Sequence, residues 1–342
     1  MKSVRFHAHG GPEVLQYEDA PDPHAKSGWV VVRVKACALN HLDLWQRRGL
    51  DRVQLPMPHT SGAEVAGTIA ELGADVTGLS VGQRVMLQPG LSCGRCLECL
   101  SGRDFLCKAY DVLGYQSDGG YAEWVTVPAV NVMPLPDHID FIAAAAFPLT
   151  FLTAWHMLYA GGRLSSSDTV LVVAAGSGVG QAAVQLARTA RARVIATARG
   201  AAKCAKALAL GVDAVIDSSV EDVPKRVKAL TAGRGVDIVI EHVGVATWTS
   251  SVRSLATGGR LVTCGATTGF DATLDLRHLF ARQLTCVGSY MGAKAELLQA
   301  ADGFFRGWYA PVVDRTFPLA EAADAHRCLE AGQPFGKVVL TC

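Results

Sequence analysis

The spacing of apolar residues changes near residue 140. Before that point they come in short β-branched runs. Residues 4–35 read as short strands, and Val30-Val31-Val32-Arg33-Val34-Lys35-Ala36 ends in apolar/polar alternation. Glu64–Leu72 and Gln83–Leu87 repeat the pattern, with turns at Gly73-Ala74-Asp75 and Gly78 between them. The first third is therefore β-rich with long loops. Asp140–Ala160 is helical in composition, and strand and helix then alternate. Strands are expected at Thr169–Ala174, Arg193–Ala198, Ala214–Ile216, Val236–Glu241 and Gly259–Cys264. Helices are expected at Gly180–Ala190, Ala201–Leu210, Val220–Thr231 and Thr247–Leu255. Continuous apolar strands separated by helices imply a parallel sheet covered on both faces, which is a doubly wound α/β domain. The final stretch reads as strand Leu284–Tyr290, helix Lys294–Arg306, strand Asp314–Pro318, helix Leu319–Ala331 and strand Lys337–Thr341.

Composition narrows the class. The 342 residues suggest two domains. Lys plus Arg is 32 and Asp plus Glu is 31, a net charge of +1, so no nucleic-acid partner is expected. Half of the residues are hydrophobic and 18% are charged, which suits large cores and excludes disorder. The opening residues carry no apolar signal segment. The most apolar stretch, Phe141–Tyr159, contains Pro148, Thr150, Thr153 and His156 and reads as a core segment. A soluble, cytoplasmic protein without a membrane partner is expected.

Two motifs carry chemistry. The strand at Val170–Ala174 runs into Ala175-Gly176-Ser177-Gly178-Val179-Gly180 and then a helix. Glycines there let the backbone approach a pyrophosphate, and the helix offers free N–H groups. A merely tight turn is the bland alternative. The second strand of this unit ends Ala196-Thr197-Ala198-Arg199-Gly200-Ala201-Ala202-Lys203, with no acid for a ribose 2′-hydroxyl. Arg199 and Lys203 suit a 2′-phosphate, which favours NADP(H); two solvated basic side chains are the alternative. The second motif is Cys93-x-x-Cys96-x-x-Cys99-x₇-Cys107, four of ten cysteines. That spacing suits one tetrahedral structural zinc, with no position left for substrate. An iron–sulfur cluster and a disulfide pair are the lesser alternatives.

These residues together resemble the medium-chain dehydrogenase/reductase superfamily, which includes zinc alcohol dehydrogenases and quinone oxidoreductases. The resemblance rests on Gly10-Gly11-Pro12-Glu13-Val14-Leu15, Gly62-Ala63-Glu64-Val65-Ala66-Gly67, the cysteine lobe, Ala175–Gly180 and the ending Gly336-Lys337-Val338-Val339-Leu340. It spans the whole chain. It implies a GroES-like β-rich catalytic domain over 1–150 with a zinc lobe at 90–110. A doubly wound Rossmann domain would follow over 151–289, and the chain would return to the catalytic domain over 290–342.

The resemblance also shows what is missing. Zinc alcohol dehydrogenases hold a catalytic zinc with a cysteine, a histidine and a later cysteine or aspartate. Those positions fall here on Asn40, Ala63 and the neighbourhood of Leu149-Thr150, and the proton-relay hydroxyl falls on Leu42. An amide, a methyl and an apolar side chain make no zinc site. The pair Asn40 and Asp43 is the quinone-oxidoreductase-like version. Without a Lewis acid, alcohol oxidation is difficult, whereas hydride transfer from NADPH to an enone or quinone remains feasible. An alternative metal site could use Cys37, His41, Asp43, His59 and Glu64; an inert thiol and polar loop histidines are the plainer reading.

By resemblance, Asn40 and Thr153 lie beside the nicotinamide and its ribose. Asp43 and Glu64 buttress the site, with Lys337 as a basic partner near the cofactor, or form a plain ion pair. The expected cofactor residues are Asn40, Thr153, Gly176, Ser177, Gly178, Val179, Gly180, Arg199, Lys203, His242, Val243, Gly265, Ala266, Ser289, Met291 and Lys337. Asn40, Asp43, Glu64 and Tyr290 are the catalytic candidates. Tyr290 and His41 are the candidates for a general acid, with solvent as the alternative, and His242 is either a proton carrier or a loop residue. Trp45, Arg48, Leu149, Phe151 and Tyr290 are expected to wall a pocket for a small hydrophobic carbonyl or quinone. Three functions follow: an NADPH-dependent enone or quinone reductase, an alcohol or polyol dehydrogenase with a variant metal site, and a non-catalytic NADPH-binding sensor. A homodimer is expected, pairing through Gly259–Cys264 or Leu284–Tyr290 at a sheet edge.

Overall fold

Strand-forming runs and glycine turns divide the chain much as their spacing suggests. The computed structural model describes residues 1–50 and 53–342. The early strands are β1 (Lys2–Arg5), β2 (Gln16–Asp19), β3 (Trp29–Ala38), β4 (Glu64–Leu72), β5 (Arg84–Leu87), β6 (Gly90–Leu91), β7 (Asp111–Val112), β8 (Trp124–Pro128) and β9 (Val132–Pro134). Then come β10 (Thr169–Val172), β11 (Arg193–Ala198), β12 (Ala214–Asp217), β13 (Val236–Glu241), β14 (Leu255–Thr263) and β15 (Thr285–Gly288). β16 (Val313–Pro318) and β17 (Lys337–Thr341) close the chain.

Two units result. The first comprises Met1–Leu149, Ala293–Leu297 and Ala310–Cys342. The second comprises Thr150–Gly292 and Leu298–Tyr309. Residues 290–342 therefore do not return as one piece, because 298–309 pack with the second unit.

The first unit is built on a sheet in the order β16-β17-β3-β4-β5-β9, with β8 also on β3. β3 is long and bends at bulges, so it serves three neighbours: β4, β8 and the terminal strand β17. The alternating apolar residues of β3, Val30, Val32 and Val34, enter one core with Val65, Ile69, Val85, Val125, Val127 and Leu340. Gly67 lies where β4 crosses β3. A Cβ there would stand 2.0 Å from the Arg33 carbonyl oxygen, so only glycine permits this pairing.

The second unit has six parallel strands in the order β12-β11-β10-β13-β14-β15. The order reverses between β10 and β13, which is the switch point where doubly wound sheets bind ligands outside the strands' carboxyl ends. Helices Gly178–Thr189, Ala201–Ala209, Val223–Leu230 and Val245–Ser254 make the connections. Leu171, Ile195, Ile216, Val239 and Leu261 pack in the core. The expected strand at Gly259–Cys264 is not an edge: β14 runs between β13 and β15, and β15 is the edge. Both runs are apolar, so composition alone does not rank them.

Replacing Gly67 by alanine is expected to lower stability by at least about 2 kcal/mol, because the obstructing atom is backbone and only a strand shift relieves it. Chemical denaturation of the variant beside the parent checks this.

Candidate functional site

The glycine-rich loop leaves β10 and enters the helix Gly178–Thr189. Ala174 takes a left-handed backbone (φ 51°), and the loop turns there. Ser177 is the N-cap, its Oγ accepting the Gly180 N–H at 2.8 Å. A Cβ on Gly180 would meet the Ala174 carbonyl oxygen at 2.3 Å, so the helix can start this close to the strand only with glycine. Ser177 Oγ also lies 2.7 Å from His242 Nε2, at the end of β13. His242 is buried, and burial lowers its tendency to protonate. Its Nδ1 has no partner among the described residues, nor does the buried Oγ of Ser289 just beyond β15. Open polar atoms at the carboxyl ends of parallel strands, beside a glycine-lined helix N-terminus, fit a dinucleotide.

The other expected cofactor residues in this unit fall as follows. Gly176, Gly178 and Val179 lie in the loop and first turn, half-buried. Val243 follows His242, and Gly265 and Ala266 follow β14. Met291 is buried with a left-handed backbone (φ 56°), and Thr153 is buried on the helix Pro148–Trp155. Arg199 is exposed just past β11, and Lys203 lies on the next helix. Tyr290 is exposed.

The first unit brings together Asn40, Asp43, Glu64 and Lys337. Asn40 caps the helix His41–Arg48, which forms around a capping box with Asp43 as its acidic N3 residue. Glu64 opens β4 and Lys337 opens β17, so strand pairing sets them side by side. Lys337 Nζ is 2.5 Å from Glu64 Oε2 and also donates to Asn40 Oδ1 (2.7 Å) and the Leu39 carbonyl (2.6 Å). Asn40 Nδ2 donates to Glu64 Oε2 (3.0 Å), and the Leu149 N–H donates to Glu64 Oε1 (2.7 Å). The ammonium has used its three donors, and the Asn40 amide is occupied on both ends. Asp43 Oδ2 accepts the Asn40 N–H (2.8 Å) and the Tyr121 hydroxyl (3.1 Å). Burial pushes the Asp43 carboxyl up to about 6.

Sequence reasoning missed what lies behind Asp43. Tyr121 Oη is 3.2 Å from His326 Nε2, and His326 Nδ1 is 3.2 Å from an Arg47 guanidinium nitrogen. Arg47 is also paired with Glu330. The capping box was a legible signal for the helix; the partners, up to 283 residues away, had none.

The residues weighed for a displaced metal face elsewhere. His59 donates from Nε2 to the Gly114 carbonyl (3.2 Å) and packs edge-on against Phe6. Cys37 is buried, and burial pushes its thiol up. His41 packs near Trp45 at the start of its helix. Among the described residues, the only group of three or more His, Cys, Asp or Glu able to share a metal ion is the four-cysteine lobe. Arg48 pairs with Glu330 at 2.7 Å and is half-exposed. Phe151 is buried, stacked on Tyr309.

In the lobe, the Cys93, Cys96, Cys99 and Cys107 sulfurs all lie within 4.8 Å of one another. Cys93 to Cys99 is 3.9 Å and Cys96 to Cys99 is 3.5 Å. A tetrahedral zinc with ~2.3 Å bonds needs sulfurs about 3.8 Å apart, so the residues fit one. Left-handed Gly94 and Gly102 turn the chain around this point. Backbone N–H groups of Arg95 and Cys96 pull the Cys93 thiol below its usual range, which favours the thiolate a metal needs. Lys294 pins the base of the lobe through the Gly90 carbonyl, Ser92 Oγ and Asp104.

Comparison with known proteins agrees with this geometry. Residues 26–137 match the alcohol dehydrogenase GroES-like domain, and 178–305 match the zinc-binding dehydrogenase model. The chain is 32% identical to a quinone oxidoreductase of Pseudomonas aeruginosa, covering 99% of both. It is 31% identical to an NAD-dependent alcohol dehydrogenase of Sulfolobus acidocaldarius, again over 99% of both. A crystal structure of an NAD-dependent alcohol dehydrogenase superposes with a TM-score of 0.97 at 45% identity over 100% of each chain. Fold, site and relatives define an NAD(P)H-dependent oxidoreductase. The chain belongs to the medium-chain dehydrogenase/reductase superfamily, as a zinc alcohol dehydrogenase-like member. No helix among the described residues is long and apolar enough to cross a membrane.

Replacing Lys337 by methionine strands the Glu64 carboxylate in the core and is expected to cost about 3–5 kcal/mol. Adding Glu64→Gln should recover part of that loss. Chemical denaturation of the single and double variants measures both.

Proposed function

We propose that this chain is an NADPH-dependent reductase of activated C=C bonds or quinones, with one structural zinc and no catalytic metal. The observation that carries the reading is the closed cluster of Lys337, Glu64 and Asn40. By the resemblance, Asn40 and Ala63 stand where zinc alcohol dehydrogenases keep two metal ligands. Here the Asn40 amide is already spent on a lysine and a glutamate, and Ala63 offers a methyl. Leu149 contributes only its N–H, to Glu64. This donor set suits holding a charge pattern and does not suit binding zinc.

The glycine loop from Gly176 to Gly180 would hold the pyrophosphate, with Ser177 fixing the helix start. His242, Val243, Gly265, Ala266, Ser289 and Met291 would line the strand ends along the cofactor, and Thr153 its ribose. Arg199 and Lys203 would receive a 2′-phosphate, which favours NADPH over NADH. NADPH, when bound, supplies the hydride. Asn40, Asp43, Glu64 and Lys337 would set the field and shape around the acceptor, and Tyr290 or water would supply its proton. Cys93, Cys96, Cys99 and Cys107 would hold the zinc. The edge strand β15, with exposed Phe270, Leu276 and Phe280 in the stretch before it, supports pairing of two copies into a homodimer.

The test is zinc content together with turnover. Protein purified without added metal should hold about one zinc per chain and should oxidise NADPH with quinones or enones after mild chelation. Arg199→Ala should raise the KM for NADPH about tenfold and leave that for NADH nearly unchanged. About two zincs, with alcohol oxidation that chelation abolishes and zinc restores, would establish the variant-metal dehydrogenase instead. NADPH binding without turnover of any electrophile would establish the sensor.

A further inference from the structure

Four buried polar groups lie behind the Asn40 cluster, and their hydrogens can be placed by elimination. An arginine guanidinium only donates, so His326 Nδ1, 3.2 Å from Arg47, must be an acceptor. Burial disfavours protonation of His326, and the Arg47 and Arg48 cations act in the same direction. The neutral ring therefore carries its proton on Nε2, which donates to Tyr121 Oη at 3.2 Å. The tyrosine proton is then left for Asp43 Oδ2, at 3.1 Å. Every link points one way, from a cation to an anion. Arg47, His326 and Tyr121 have no measurable exposure, and Asp43 has 1%. The chain joins the helix His41–Arg48 to the segment before β8 and to the helix Ala322–Glu330.

A relay that carries protons to solvent is ruled out by the same chemistry. Arginine does not give up its proton, so the chain is closed at Arg47. What it can do is hold. Asp43 receives the Asn40 N–H on the same oxygen that receives Tyr121, and the Asn40 side chain bridges Lys337 and Glu64.

We propose that Arg47, His326 and Tyr121 are positioning residues: they keep Asp43 ionised and aimed at Asn40, and so fix the Asn40–Lys337–Glu64 cluster for the reaction. This inference rests on the reductase reading for its link to catalysis, though not for the chain itself. The groups facing Asp43 are the Cys37 thiol from β3, Glu64 from β4, Lys337 from β17, the Tyr121 hydroxyl and the Asn40 N–H. Burial raises the carboxyl most, Glu64 raises it further, and the Asn40 N–H, Tyr121 and Lys337 oppose them. Removing the tyrosine hydroxyl takes away a donor to the charged form, so the carboxyl must move further up.

Tyr121→Phe removes only the hydroxyl. His326→Leu removes the link behind it, and His326→Gln restores an amide N–H near the Nε2 position. Two readouts separate the chain from the reaction. The first is melting temperature against pH. Because the folded Asp43 carboxyl lies above its unfolded value, its contribution is full below about 4 and is lost as pH rises through the folded value. The Tyr121→Phe deficit should therefore widen between pH 5 and pH 8, and should become flat with pH on an Asp43→Asn background. The second is the pH profile of kcat/KM for NADPH-dependent quinone reduction. Its acid limb should move up by about one pH unit in Tyr121→Phe and His326→Leu and largely return in His326→Gln. A deficit that is the same at every pH and persists with Asp43→Asn would reduce the chain to a fold cross-link and overturn the proposal. Should the melting series behave as expected while no electrophile is turned over, the reductase reading fails and the hold on Asp43 stands. Should Tyr121→Phe not fold, the His326→Gln and His326→Leu pair decides on the same two readouts.

Discussion

A lysine ammonium and a glutamate carboxylate, 2.5 Å apart and shut away from water, organise the first unit. Isolated, such a pair barely recovers its desolvation cost; it becomes favourable when every remaining donor and lone pair finds a partner. That condition is met here by backbone and amide groups: the Leu39 carbonyl and Asn40 Oδ1 for the ammonium, Asn40 Nδ2 and the Leu149 N–H for the carboxylate. Those groups come from the end of β3, the start of β4, the start of β17 and the segment that leads out of the unit. The pair therefore couples the register of three strands to the placement of one asparagine.

The second unit has the opposite character. Its central strands β10, β11 and β13 are mostly apolar and almost wholly buried, and its helix Gly178–Thr189 is capped by its own serine. Yet His242 Nδ1 and Ser289 Oγ remain buried and unpartnered at the strand ends. The Lys337–Glu64–Asn40 contacts keep their shape without a ligand, whereas unsatisfied buried atoms, Asp43 Oδ1 in the first unit among them, cost free energy until a partner arrives. The first unit thus carries a preset charge pattern, and the second carries open polar atoms at its strand ends. Hydride chemistry needs both, since the cofactor brings the reactivity and the protein brings orientation and field.

How much of this could be read from sequence followed the distance over which each feature is encoded. The glycine loop and the four cysteines are complete within fifteen residues, and their spacing alone carries their geometry. Strands β11 and β13 have the expected bounds, because buried strands of a parallel sheet read as near-continuous apolar runs. The helix His41–Arg48 escaped because two turns with few apolar residues give no periodic signal, even though Asn40 and Asp43 had been singled out for chemistry. Sheet edges escaped because Gly259–Cys264 and Leu284–Tyr290 are equally apolar, and only strand order distinguishes them. The Arg47–His326–Tyr121 chain escaped for the strongest reason: its members are scattered over the whole chain, and a buried histidine looks from sequence like any other helix residue.

Two buried polar arrays of the first unit share one residue. Lys337 and Glu64 meet directly. Arg47 and Asp43 are joined through two neutral groups, His326 and Tyr121, whose hydrogens all point toward the carboxylate. Asn40 belongs to both, by its backbone N–H to Asp43 and by its side chain to Lys337 and Glu64. Cysteine and histidine ligands at the Asn40 and Ala63 positions would bring negative charge or an exposed lone pair, which a metal would have to neutralise. An amide and a methyl add no charge, so Lys337 and Glu64 balance each other, as Arg47 and Glu330 do. Asn40, which contributes both its backbone and its side chain, is the hinge between the two arrays.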